Sequence, residues 1–313
     1  MKRLVFVVIS LVLISCAAMK KANEYYRSEN YESAIEECKN IIAKDSLNAE
    51  AYFILGKSYQ ALGKIEDAVS ALMTVYQRHP DSKFHPKATR ELIDIKLGMA
   101  NNLLGQEQYN RAIAMYQEII ALDSTNFDAY FNLGRCYEKH GLLEKARSFY
   151  LKASQAKSDD QLADSRIGMI DSLSQLAEIN YQKGKKFYDQ KNHQSARRYL
   201  KLALDKKPDH NDARYYFHMT EGKLLYRKGS KSACWDAIEH YGKAMMIRPE
   251  SAEPHFCMAQ AYERKDRDEF DNAIDEYRTA LEKDPDGSFA ESSRKKIKEL
   301  TARRDKMKKF WGK

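Results

Sequence analysis

The feature that most constrains this chain is that it repeats itself. AYFILGKSYQALGKIEDA (51–68) aligns without a gap on AYFNLGRCYEKHGLLEKA (129–146), sharing Ala-Tyr-Phe, Leu-Gly, a Tyr, a Gly and a closing Ala. Self-similarity at a fixed period marks a stack of supersecondary units, each burying its apolar face only against its neighbours. Anchoring on the closing Ala recovers seven copies, at Ala34, Ala68, Ala112, Ala146, Ala196, Ala237 and Ala273. The steps between them are 34, 44, 34, 50, 41 and 36 residues. Each copy ends at a helix stop: Ser46, Pro80, Ser124, Ser158, Pro208, Pro249 or Pro285.

The spacing predicts a pair of antiparallel helices per copy. Gly56 and Gly134 fall inside the first helix, where a small residue lets the second helix come close. Ala68 and Ala146 are then the small partners on that second helix. Tyr59 and Tyr137, three residues after the Gly, are expected to fill the space beside it. Gly63 and Gly141 are expected to end the first helix in a left-handed cap, and Pro80 to stop the second.

This pattern resembles the tetratricopeptide repeat, a 34-residue helix pair, and the resemblance runs from about residue 19 to 287. It implies an all-α fold: a tetratricopeptide-repeat α-solenoid, a right-handed superhelix of antiparallel helix pairs. Two insertions, SKFHPKATRELIDIKLGMANNL and DDQLADSRIGMIDSLSQLAEINYQKGKKFY, keep helical periodicity and read as first helices lengthened by two or more turns. The longer sets the expected division into four repeats over 16–158 and three over 159–287. Over 288–313, Phe289, Ile297, Leu300, Met307 and Trp311 form one stripe interrupted by Arg304, as expected of a helix that caps a solenoid. Pro80-Asp81-Ser82-Lys83-Phe84 and Pro285-Asp286-Gly287-Ser288-Phe289 share a Pro-Asp-small-x-aromatic opening, similar to repeats of periplasmic envelope-assembly lipoproteins.

The first 15 residues read as a signal peptide. Lys2 and Arg3 precede an apolar run from Leu4 to Ile14, too short for the ~20 residues of a membrane-spanning helix. Leu13-Ile14-Ser15-Cys16 resembles the lipobox of bacterial lipoproteins. The resemblance implies cleavage before Cys16, diacylglycerol on its thiol and an acyl chain on its new amine. No other cofactor is expected. Ala17 follows in place of the Asp that retains many lipoproteins at the inner membrane, which points to the periplasmic face of the outer membrane.

Chemistry is expected to be absent. Gly56-Lys57-Ser58 ends like a phosphate-binding loop, but position 51 is Ala where the loop needs its first Gly, and Gly56 falls inside a helix whose amides are already bonded. The eight histidines show neither the metalloprotease motif nor Cys/His ligand spacing. No nucleophile elbow occurs. The chain therefore reads as a non-enzyme without a metal site. Cys38, Cys136, Cys234 and Cys257 remain after Cys16 and read as buried thiols.

The resemblance also implies that first helices line a concave groove. Phe53, Phe131 and Phe256 share one first-helix position, flanked by Lys57 and Gln60, Arg135 and Glu138, and Gln260 and Glu263. Aromatic rungs beside charges suit a peptide or protein partner; packing on the adjacent helix is the other reading of each Phe. The Lys/Asn clamp by which some relatives hold chaperone tails is absent, because Phe53 takes one of its Lys positions. Residues 291–313 carry 10 Lys/Arg against 3 Asp/Glu, a net charge of +7, whereas residues 16–290 sum to −1. Charge this localised points to an anionic surface or an acidic partner rather than to nucleic acid. The resulting expectation is a membrane-anchored scaffold or adaptor of the bacterial cell envelope, similar to pilus-secretin pilotins and β-barrel-assembly lipoproteins. The rival is a peptidoglycan- or carbohydrate-binding protein or enzyme using the groove.

Overall fold

The computed structural model describes residues 17–265 and 270–310, and every regular element among them is a helix. The helices pair in chain order. The first four pairs are α1 (17–27) with α2 (Tyr31–Lys44), α3 (Ala49–Ala61) with α4 (Ile65–Arg78), α5 (His85–Gly105) with α6 (Tyr109–Leu122), and α7 (Phe127–Lys139) with α8 (Leu143–Ala156). Three more follow: α9 (Gln161–Asp189) with α10 (His193–Lys206), α11 (Asn211–Lys228) with α12 (Lys231–Ile247), and α13 (Ala252–Lys265) with α14 (Phe270–Lys283). Helix α15 (Ala290–Phe310) closes the series. The lengthened first helices are α5, of 21 residues, and α9, of 29, against 13 in α3 and α7. The excess is roughly two and four turns. Two compact units result. Described residues up to His140 with Lys145–Asp164 form the first, and Gly141–Glu144 with those from Ser165 onward form the second.

One register builds each pair. All seven anchoring alanines are fully buried. Opposite each, the first helix supplies a buried small residue: Ala22, Gly56, Ala100, Gly134, Gly184, Gly222 or Ala259. Four residues past each alanine comes a large or sulfur side chain, also buried: Cys38, Leu72, Tyr116, Tyr150, Leu200, Tyr241 and Tyr277. These residues, rather than Tyr59 and Tyr137, occupy the space at the glycine. A Cβ on Gly56 would stand 2.7 Å from Leu72 Cγ, and one on Gly134 2.8 Å from the Tyr150 ring. Tyr137 instead lies flat on Phe149, ring centres 5.3 Å apart. Side chains three to four residues apart share a helix face, but the second helix reaches that face first.

The turn between paired helices is also repeated. Gly63 and Gly141 take the expected left-handed conformation, at φ +72° and +71°. Glu29, Glu107 and Lys191 hold the same place at φ 59° to 60°. In each, two amides after the helix bond back to its last turn, as Lys191 N does to Tyr188 O and Asn192 N to Phe187 O. The residue after the turn begins the next helix, and Asn30 and Asn192 cap it with their side chains. A side chain in this conformation costs ~1–2 kcal/mol that glycine avoids, less glycine's greater loss of chain entropy. Glu29→Gly, Glu107→Gly and Lys191→Gly are each expected to stabilise by about 0.5–1 kcal/mol. The three sites lie far apart in the chain, so their gains should add. The check is the urea midpoint at constant m-value.

Helix α15 covers the last apolar face as expected. Leu300 is buried against Ala259, Phe270 and Tyr277, with Ile297 and Met307 beside it. Arg304, which interrupts the stripe, pairs with Asp271 at 2.7 Å. Trp311 lies outside the described residues.

Candidate partner-binding surface

The first helices hold nearly all the residues singled out above. Phe53, Phe131, Lys57, Gln60, Arg135 and Glu138 stand in the first unit, and Phe256, Gln260 and Glu263 in the second. Each phenylalanine is half-buried and ring-paired. Phe53 meets Phe84 at 5.5 Å, and Phe256 meets Phe289 at 4.8 Å and Tyr277 at 5.5 Å. The two Pro-Asp-small-x-Phe segments thus do one job, folding their aromatic ring onto the first-helix Phe of the preceding repeat. Phe131 stacks on Phe127 at 5.6 Å and meets the Tyr150 ring at a tilt, 5.3 Å away. Rings at these separations gain ~0.5–1.5 kcal/mol beyond area burial. All three therefore contribute to packing, and only their outer edges remain for a ligand.

The polar neighbours are tied down as well. Lys57 bonds Glu91 of the next first helix at 2.7 Å, both side chains about a quarter exposed. Glu138 accepts the Tyr150 hydroxyl at 2.6 Å. Glu263 accepts the Tyr277 hydroxyl at 3.2 Å and the Lys296 ammonium at 2.8 Å. Tyr150 and Tyr277 hold equivalent second-helix positions, so these two glutamates share one structural role. Burial pushes the Tyr277 phenol well above its ordinary range, with Glu263 adding to the effect. Arg135 is exposed and donates to the Asn132 side chain at 2.9 Å. Gln60 and Gln260 are half-buried, and the Gln60 side-chain oxygen accepts no hydrogen bond.

Two shallow clefts open in the first unit beside these residues. One, of about 250 Å³, is lined by Phe53 and by Pro86, Lys87, Arg90 and Glu91 of α5. The other, of about 330 Å³, runs from Asn101, Leu104 and Tyr109 to Asn132, Arg135 and Lys139. Each offers an apolar edge beside cations. In the second unit three first helices are tied by a shared contact. Glu253 of α13 accepts Lys223 of α11 at 2.5 Å and the Tyr188 hydroxyl of α9 at 2.6 Å. The periodicity missed this triad because its members come from three different repeats.

Gly56 lies within α3, and Ser58 is buried with its hydroxyl bonded to Ile54 O at 2.8 Å; neither faces a ligand. Cys38, Cys136, Cys234 and Cys257 are buried and unbonded. Burial pushes the thiols of Cys38 and Cys257 up to about 12 and that of Cys136 to about 11. Protonated thiols of this kind are poor nucleophiles. Among the described residues no group of three His, Cys, Asp or Glu could hold a metal, and no helix is long and apolar enough to cross a membrane. Cys16 lies outside the described residues.

A tetratricopeptide-repeat family model matches residues 19–83 and 97–160. Among solved structures, the tetratricopeptide domain of P58(IPK) is 15% identical, with 92% of this chain and 98% of that one covered and a TM-score of 0.41. A tetratricopeptide repeat protein from Parabacteroides merdae is 13% identical at the same coverage, with a TM-score of 0.35. The yeast Sti1 domain pair is 16% identical, also at 92% and 98% coverage, with a TM-score of 0.34. No curated protein sequence matches the chain significantly. The family model spans the first four repeats, and the same buried alanine, small residue and second-helix side chain continue through the other three. Over residues 19–83 and 97–160 the chain is similar to tetratricopeptide repeat proteins, and its described residues form an all-α series of antiparallel helix pairs.

Proposed function

We propose that this protein is a lipid-anchored scaffold of the bacterial cell envelope that gathers protein partners and performs no catalysis itself. The fold supports the role of a protein–protein interaction scaffold. The observation that carries the reading is where the repeat spends its residues. Small, aromatic and charged positions alike go into helix packing, and beside Phe53 and Arg135 the first unit leaves a pair of shallow clefts with phenylalanine, leucine and cations at their edges. Clefts of 250 and 330 Å³ lie at or below the lower end of small-molecule sites, roughly 300–1,000 Å³. They fit single side chains of an extended or helical peptide. Anchoring rests on Leu13-Ile14-Ser15-Cys16. Several acyl chains at ~0.8 kcal/mol per buried methylene hold a protein where one chain would let it leave. Ala17 after the lipidated residue favours the outer membrane, facing the periplasm. The cationic carboxyl-terminal helix would add a second, weaker contact with an anionic surface.

The test is Cys16→Ala in cells, read by fatty-acid labelling and fractionation. The wild type is expected in the membrane pellet with label; the variant should be unlabelled, uncleaved at that site and lost from the lipoprotein fraction. Unchanged labelling and sedimentation would overturn the anchor. In the same cells a photocrosslinker at Lys87 or Arg135 should give a discrete protein adduct that is absent from the same probe at Glu66. Adducts with glycan strands would favour the carbohydrate-binding rival.

A further inference from the structure

We propose that the outer face of α15 docks onto an anionic phospholipid bilayer, a contact that rests on the envelope reading but not on the lipid anchor. The helix divides its basic residues by role. Lys296 pairs with Glu263 at 2.8 Å, Arg304 with Asp271 at 2.7 Å, and Arg294 donates to Pro285 O at 2.7 Å. These three fasten α15 to the last repeat. Lys295, Lys298, Lys306 and Lys309 are exposed on the side opposite Ser293 and Leu300, and none has an acidic partner among the described residues. On a helix rising 1.5 Å per residue they form a row of lysines about 21 Å long, flanked by exposed Glu291, by Glu299 beside Lys296 and by Asp305 beside Arg304. Phe310, 79% exposed, stands at its end.

Capping a solenoid requires that this face be polar, not that it be cationic. Glutamate or glutamine would solvate it equally well, and residues 16–290 sum to −1. The chemistry of the stripe selects among anionic partners. A protein interface concentrates its energy in buried aromatic or arginine anchors at the centre of the patch. Here the centre is Ala302 among lysines, and the single large apolar side chain lies at one end. Fixed carboxylates or phosphates are best matched by the planar fork of arginine. A row of lysines instead suits a surface whose charge is spread and laterally mobile. A terminal phenylalanine can insert among headgroups at the edge of such a contact.

The experiment uses the mature chain, residues 16–313, with Cys16→Ser, so that no acyl chain contributes. Flotation is measured with vesicles of phosphatidylcholine alone or with about a third phosphatidylglycerol. The protein is expected to float with the anionic vesicles, to stay behind with neutral ones, and to be released by high salt. A lysine near an anionic surface is worth about fivefold in binding. Converting the four lysines to glutamine should weaken binding several hundred-fold, while four arginines should preserve it. Unchanged circular dichroism would show that helix α15 survives in both variants. The proposal is overturned by equal binding to neutral vesicles, by no binding to anionic ones at low salt, or by an unaffected glutamine variant. It is also overturned if an acidic polypeptide binds the stripe and the vesicles do not. Failure here leaves the Cys16→Ala result in cells untouched, so the two readings fall separately.

Discussion

Gly222→Val is expected to destabilise the second unit by roughly 3 kcal/mol, enough to lower its melting temperature by about 6–12 °C. A Cβ at Gly222 would stand 2.8 Å from Tyr241 Cδ1 and Cζ, and closer still to Cε1. Tyr241 is 1% exposed, so its ring has no free volume to enter. Real Cβ contacts are essentially never this short, and valine adds two γ carbons in the same crevice. Forcing extra carbons into a packed core costs ~1–3 kcal/mol, occasionally more, and here the strain is shared with the α11–α12 crossing itself. In an exposed helix the exchange of glycine for a residue with a side chain usually helps, by ~1 kcal/mol for alanine. Gly98 of α5 supplies that control, being exposed with nothing within 4 Å of its would-be Cβ. Gly98→Ala should raise stability while Gly222→Val lowers it. If Gly222→Val melts with the wild type, close helix approach is not what the small-residue position provides. Tyr241→Leu, which copies the Gly184–Leu200 pair of another repeat, should recover part of the loss when combined with Gly222→Val.

The fold was legible because one period carries it. The seven closing alanines identified the second helix of every pair, and all seven are fully buried. Gly63 and Gly141 announced the left-handed turn because glycine is the residue that adopts it freely. Glu29, Glu107 and Lys191 adopt it too, and no composition signal marks them; only their place five residues before an alanine does. The small partner was visible as Gly56 and Gly134 but hidden as Ala22, Ala100 and Ala259, where alanine is also an ordinary helix former. The candidate surface was legible in position and not in state. Spacing put Phe53, Phe131 and Phe256 in one register, but ring pairing with Phe84, Phe127 and Phe289 depends on how neighbouring turns and helices fold back. Lys57 and Glu91 lie one repeat period apart on successive first helices. Their ion pair could have been sought by comparing position 57 with position 91, charge against charge.

Acidification from pH 6.5 to about 4 is expected to remove roughly 2 kcal/mol from the second unit through His218 alone. His218 of α11 lies with Nδ1 3.1 Å from Nδ1 of His240 on α12. That bond needs Nδ1 protonated on one ring and bare on the other, so at most one of the two rings can carry a charge while it persists. Burial first, then repulsion from His240 when it is protonated and from Lys243 and Arg214, pushes His218 down to about 4. Burial also depresses His240 and His193 of the same unit. The unfolded chain takes up the proton near pH 6.5, while the folded chain resists until about 4. The unfolded state therefore binds more protons in this window, and stability rises with pH across it. The contribution is complete above pH 6.5 and lost as pH falls through the folded value. A shift of this size corresponds to about 3 kcal/mol at 1.36 kcal/mol per unit, reduced here because the ring is only half-buried. Carboxylates held low in the fold, such as Asp271 beside Arg304 and Asp123 beside Thr125, lose their contribution at more acidic pH. The two effects therefore separate along the pH axis. Urea titrations of the wild type and His218→Gln at intervals between pH 7 and 4 measure the difference. The wild-type midpoint should fall steeply and that of the variant less so. Parallel curves for the two proteins would assign the acid sensitivity to other groups and remove His218 from the account.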